Sequence, residues 1–168
     1  TDGKGNKYKG EWRKDAMNGE GTYTDVLGHR YTGKWNNNKR EGKGTYSFVG
    51  QKKNESLSTE LLYFKGNRYV GEWKQDQFHG KGSFKYLNGD SYEGEWEMDK
   101  RSGKGIFISN QSEHYEGEWE NDMKHGIGEM DFTNGDHYKG EWKQDMMSGD
   151  GQMVYVNGDS YKGYWVNN

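Results

Sequence analysis

Every 23 residues this chain returns to the same five-residue word, Tyr-x-Gly-x-Trp, and that period decides what the chain can fold into. The word runs from Tyr8 to Trp12, Tyr31 to Trp35, Tyr69 to Trp73, Tyr92 to Trp96, Tyr115 to Trp119, Tyr138 to Trp142 and Tyr161 to Trp165. The step is 23 residues each time except between Tyr31 and Tyr69, where it is 38, so 15 extra residues are inserted at about 49–63. A fixed period of this size is the mark of a repeat architecture, so residues 1–168 read as one array with repeats starting near 8, 31, 69, 92, 115, 138 and 161. It begins at Thr1 and ends inside the seventh repeat, as expected of a segment of a longer protein.

Within the word, Tyr, Gly and Trp stand at i, i+2 and i+4 and so share one face of a β-strand, while the Glu and Lys between them face the other way. Seven residues after each of the first six tryptophans comes Gly-x-Gly, as at Gly103 and Gly105, and the alternation then runs on into an aromatic or methionine, which predicts a second strand. An Asp or Asn column (Asp15, Asn38, Asp76, Asp99, Asp122, Asp145) predicts a loop between the two strands. Asn-Gly-Asp at Asn88–Asp90, Asn134–Asp136 and Asn157–Asp159 predicts a tight hairpin turn before the next Tyr.

Only 29% of the chain is hydrophobic, too little for a conventional core, but 15% is aromatic, and large rings in register can hold a thin structure together. Of the 26 aromatics, 22 fall on one parity of the ribbon. The expected fold is therefore all-β: an elongated single-layer antiparallel β-meander, aromatic on one side and wet on the other. The insertion is expected to be a local excursion, because the repeat frame resumes unchanged after it.

With "YEGEW", "HGKG" and "NGD" in place, the sequence resembles a MORN (membrane occupation and recognition nexus) repeat array over essentially its whole length. Lys34 and Tyr164 depart from the Glu of "GEW", Ser112 replaces the turn glycine, and the insertion has no counterpart in the family. The resemblance implies a β-meander that serves as a scaffold or docking module in cytoskeletal, ciliary or membrane-contact proteins, or as an accessory segment of an enzyme such as a lipid kinase or methyltransferase. A cytoplasmic protein with cytoskeletal or membrane association is expected on that ground.

Chemistry other than binding finds little support. There is no cysteine, hence neither a disulfide nor a thiolate metal site, and no apolar run approaches the ~20 residues that span a bilayer as a helix. The Gly-x-Gly words lack the strand-to-helix setting of a phosphate loop. The five histidines form no pair at metal-ligand spacing, and Glu95, Glu118 and Glu141 read as solvated surface. No enzymatic activity, no cofactor and no nucleic-acid partner are expected.

An aromatic face on a single sheet leaves apolar surface for a partner. Tyr46, Phe48, Phe84, Tyr86, Phe107, Phe132 and Tyr155 are the expected partner-binding residues, rimmed by Met17, Phe78 and Met147. The occupant of this groove would be a protein segment or a second copy. Residues 1–53 carry a net charge of +6 and residues 54–168 one of −9, which favours an antiparallel homodimer over a parallel one. The alternative is binding of anionic phospholipid through Lys34, Lys39, Arg40, Lys43, Lys52 and Lys53.

Overall fold

The structure, a computed structural model, describes residues 1–48 and 66–166. Among the described residues the secondary structure is all β, with thirteen strands in chain order and no helix. The chain divides into two units, Thr1–Asn88 and Gly89–Asn168. The first holds β1 (Lys7–Arg13), β2 (Ala16–Thr24), β3 (Arg30–Asn36), β4 (Lys39–Ser47), β5 (Arg68–Lys74) and β6 (Gln77–Lys85). The second holds β7 (Ser91–Glu97), β8 (Lys100–Ile108), β9 (His114–Glu120), β10 (Met123–Asp131), β11 (His137–Lys143), β12 (Met146–Val154) and β13 (Ser160–Trp165). In each unit every strand pairs antiparallel with the next, the meander expected from the repeat frame. The insertion at about 49–63 lies outside the described residues.

The turns fall the other way round from the sequence expectation. The two-residue turn is the one that carries the Asp column: β7 ends at Glu97, β8 begins at Lys100, and Met98 and Asp99 between them have φ of 50° and 65°. Positive φ at both central residues is the type I′ hairpin, whose twist matches that of the strands, and Asp or Asn at the second position tolerates it. The Asn-Gly-Asp turn is longer, and only its glycine is left-handed, with Gly135 at 88°. It is closed by Gly135 N to Phe132 O at 3.0 Å and Phe132 N to Asp136 O at 2.9 Å. Ser112 takes the same left-handed place at 70° in the repeat that lacks the glycine.

At the insertion the equivalent atoms meet in the same way. Gly66 N donates to Phe48 O at 2.8 Å and Phe48 N to Asn67 O at 3.0 Å, so β4 and β5 pair in the standard register.

Glycine sets the depth of the aromatic face. Gly94 and Gly105 are partners across β7 and β8, and a Cβ on Gly105 would stand 2.5 Å from Cζ of Tyr92, whose ring lies over the pair. The ring is held there by its hydroxyl, which donates to Glu95 O at 3.0 Å. Beside the pair the register shifts between Gly94 and Glu95, and Gly103 is left-handed at 58° in the resulting bulge. The Glu95 carboxylate accepts the Lys104 N–H at that bulge, at 3.4 Å. Glu141 does the same for Asp150 N at 3.1 Å, so these two carboxylates are braces rather than plain surface.

Tyr and Trp rings then alternate edge to face along each unit. In unit 2, Tyr92 meets Trp96 at 5.1 Å and Trp119 at 5.3 Å, and Tyr115 meets Trp119 at 5.1 Å and Trp142 at 5.4 Å, all at 85–88°. Unit 1 repeats the pattern with Tyr31, Trp35 and Trp73. Each such pair adds about 0.5–1.5 kcal/mol beyond area burial, and each spans a repeat boundary or braces one strand. Tyr31, Tyr69, Tyr92, Tyr115 and Tyr138 are buried to within 1% of full. Trp12, on the outer strand β1, is 60% exposed.

Candidate functional site

The tyrosines are buried although the sheet is one layer deep, because a column of side chains just after the type I′ turns folds over them. Its members are Met17, Arg40, Phe78, Arg101, Lys124 and Met147. Phe78 stacks on Tyr69 at 3.9 Å. Arg40 lies 4.2 Å over Trp73, Arg101 4.1 Å over Trp119, and Lys124 4.6 Å over Trp142. Of the expected rim residues, Phe78 is thus part of this cover and Met17 and Met147 stand in the same column across from Trp12 and Trp142, and sequence reasoning missed that three cations share it, having set Arg40 among the lipid candidates. The signal was their equal spacing from the Asp column; their charge pointed to solvent, whereas the flat guanidinium and the long lysine stem pack on ring faces.

Burial pushes the hydroxyls of Tyr31, Tyr92 and Tyr115 well above the ordinary tyrosine range, with smaller contributions from neighbouring charges. They act as neutral donors to the backbone, not as proton-transfer groups.

The partner-binding residues expected from sequence separate by burial. In unit 1, Tyr46 and Phe48 lie 4.5 Å apart, Phe48 and Phe84 6.4 Å, and Phe84 and Tyr86 4.5 Å, one connected belt. Within it Phe84 is only 5% exposed and serves as packing, while Tyr46, Phe48 and Tyr86 are half-buried. In unit 2, Phe107 is half-buried against Trp119 at 6.4 Å, Phe132 is half-buried, and Tyr155 is 39% exposed. Apart from those of the terminal strands β1 and β13, where Trp12, Tyr161 and Tyr164 are exposed, the part-exposed rings are therefore those of the second strands and their hairpin ends.

The described lipid-binding candidates divide between the two faces, with Lys34, Lys39 and Lys43 on the polar side of β3 and β4. Arg40 is on the aromatic face, its Nε 3.1 Å from Asp76 Oδ1 and its Nη2 donating to Asp76 O at 2.8 Å. Lys34 stands across from Glu20, and Lys43 across from Glu72. Lys39 donates to Gln75 Oε1 at 2.7 Å. Lys52 and Lys53 lie outside the described residues. An acid-free row exists elsewhere on the polar face of unit 1: Lys7, Thr24, Arg30, Ser47, Arg68 and Lys85 are successive cross-strand partners, and the four cations are exposed.

Four histidines face carboxylates, the closest being His137 Nδ1 to Asp131 Oδ1 at 2.7 Å and His29 Nδ1 to Asp25 Oδ2 at 3.0 Å. Among the described residues no group of three or more His, Asp or Glu side chains could hold a metal ion.

A family model, that of the MORN repeat, matches residues 8–28, 31–51, 69–91, 92–111, 115–137 and 138–160. The start of the seventh repeat, which forms β13, lies beyond these matches. No curated protein matches the chain. Among solved structures it is similar to the SAS-4 (dCPAP) TCP domain of Drosophila melanogaster, in complex with a proline-rich motif of Ana2 (dSTIL). The identity is 11%, the match covers 94% of this chain and 90% of that one, and the TM-score is 0.44.

Proposed function

The chain belongs to the MORN repeat family, and on that premise we propose that it is a non-catalytic binding scaffold whose aromatic face takes up a protein segment or a second copy of the chain. One observation carries the reading. The Tyr and Trp rings of the inner first strands β3, β5, β7, β9 and β11 are consumed by internal packing, yet those of the second strands and hairpin ends, Tyr46, Phe48 and Tyr86 in unit 1 and Phe107, Phe132 and Tyr155 in unit 2, stay part-exposed on the aromatic side of each unit. Apolar surface held open in this way is typical of interaction sites. The polar side has the charged, braced character of a solvated face.

A photo-reactive benzoylphenylalanine placed at Phe132 or Tyr155, and separately at Lys139 on the polar side, tests this in cells of the source organism. The reading predicts a discrete protein adduct from the two aromatic-face positions and none from Lys139. Adducts from Lys139 alone, or from no position, would contradict it.

A second reading, contact with anionic lipid, is favoured by the acid-free row of Lys7, Arg30, Arg68 and Lys85. Each basic residue near a charged membrane contributes about 1 kcal/mol. Arg30→Glu with Arg68→Glu would then release the protein from phosphatidylserine vesicles, and Lys34→Glu with Lys43→Glu would not. Equal effects of the two pairs would remove the row as the cause.

A further inference from the structure

Of the three cations that cover the tyrosines, two are tied down and one is not. Arg40 clasps the Asp76 turn, and Arg101 reaches Asp122 in the same way, Nε to Oδ1 at 3.2 Å and Nη2 to the backbone oxygen at 2.6 Å. Lys124 holds the equivalent place in the following repeat, but a lysine has a single terminal donor group and no fork. Its ammonium rests 4.6 Å over Trp142 and 5.6 Å over Tyr115. It makes no hydrogen bond or ion pair among the described residues. Asp145, the counterpart of Asp122, accepts the Lys124 backbone N–H at 2.8 Å, as Asp122 accepts that of Arg101 at 2.9 Å, but it takes no bond from the lysine side chain among the described residues.

A half-buried cation that rests on ring faces without a hydrogen-bonded acceptor is only partly compensated. Burial lowers its pKa, with Asp145 and Glu113 pulling the other way and the Arg101 charge adding to the lowering. An anion delivered from outside gains most at such a place. Apolar ground runs on from it along the same face: Met130 shares that side of β10 with Lys124, Phe132 follows one residue past the strand's end at the same parity, and Phe107 pairs with Tyr115, the ring on which Lys124 rests.

Resting on the proposal that this face binds a protein segment, we infer that the occupant of the unit 2 face is an acidic-apolar segment. It places one carboxylate on Lys124 and apolar side chains over Phe107 and Phe132. Charge argues for such a segment over a second copy, since two unit 2 faces brought together would set Arg101 and Lys124 against the same cations.

Short random peptides displayed on phage, selected in parallel on the whole chain and on Lys124→Met, test the inference. Methionine already fills this column at Met17 and Met147, so the variant keeps the cover. The chain is expected to select peptides with Asp or Glu set between apolar residues. Synthetic copies should bind it about tenfold more tightly than they bind Lys124→Met, and Glu-to-Gln copies should lose that factor on the native chain only. Peptides without acidic enrichment, or an equal loss on both proteins, would overturn the acidic occupant while leaving the face a peptide site. If neither protein selects any peptide, the underlying reading falls as well.

Discussion

The indole Nε1 of Trp142 donates to the carbonyl oxygen of Gly128 at 3.2 Å, a buried hydrogen bond that ties one repeat to the one before it. Trp119 does the same to Gly105 at 3.2 Å and Trp35 to Gly21 at 3.2 Å. Stability in a repeat array resides largely in neighbour interfaces, and this bond together with the Tyr–Trp contacts forms the interface here. Trp142→Ala is expected to cost about 3–5 kcal/mol in urea denaturation. Trp142→Phe, which keeps a ring but leaves the Gly128 oxygen without its donor, should cost about 1–3 kcal/mol. A loss for Trp142→Ala below about 1 kcal/mol, the range of ordinary surface changes, would mean the column is not what holds the sheet.

Gly128 also lies under a tyrosine: a Cβ there would stand 2.5 Å from the Tyr115 hydroxyl oxygen and 2.7 Å from the ring. Gly128→Ala should therefore lift the ring and cost about 1–3 kcal/mol or more. Gly3→Ala, where nothing lies within 4 Å of the added atom, should change the melting temperature little. Equal effects of the two substitutions would show that the tyrosine does not need the glycine.

Asp122 combines a left-handed backbone, φ 71°, with a side chain that accepts the Arg101 N–H at 2.9 Å from the neighbouring repeat. Asn38 makes the same bond to Met17 N at 2.7 Å. Asp122→Asn is accordingly expected to leave stability within about 0.5 kcal/mol, and Asp122→Ala to cost about 1–3 kcal/mol through the lost acceptor and the strained φ. Equal stability of the two variants would remove this side chain as a link between repeats.

The tyrosine hydroxyls give a pH prediction. Burial raises those of Tyr31, Tyr92 and Tyr115 above the ordinary 10.0. A raised group favours the folded state fully below the unfolded value; the contribution starts to fall there and is lost as pH rises through the folded value. Stability should thus be insensitive to these groups up to about pH 10 and decline above it. Tyrosinate absorbance is expected to rise in part together with loss of the β-sheet circular dichroism signal. Complete tyrosine titration near pH 10 with the sheet intact would show the hydroxyls to be open.

Much of the fold was legible because the β period of two survives any choice of polar residue: Tyr, Gly and Trp keep their parity in all seven copies. The turns were misassigned because Asn-Gly is the stronger hairpin word, although here Lys14–Asp15 and its equivalents adopt the two-residue type I′ turn and the Asn-Gly-Asp glycine closes a longer one. Site legibility was poorer. Phe84 and Phe107 hold the same place in the repeat, but Phe84 is enclosed by Phe78, Tyr69 and Tyr86 and buried while Phe107 meets Trp119 and Arg101 and is half-buried, a difference set by whether the covering column carries Phe78 or Arg101. Arg40, Arg101 and Lys124 were hidden for the same reason: a column of Met and Phe in other repeats holds cations in these.

The most direct measurement is the affinity of a display-selected peptide, followed by fluorescence anisotropy, for three proteins matched in circular dichroism. These are the native chain, a Phe132→Ser/Tyr155→Ser variant of the aromatic face, and a Lys139→Glu/Lys162→Glu variant of the polar face. If the aromatic face is the binding surface, the first variant loses about tenfold or more, as expected when anchoring rings are truncated, and the second binds as the native chain does. Undiminished binding by Phe132→Ser/Tyr155→Ser, or a loss confined to Lys139→Glu/Lys162→Glu, would contradict it.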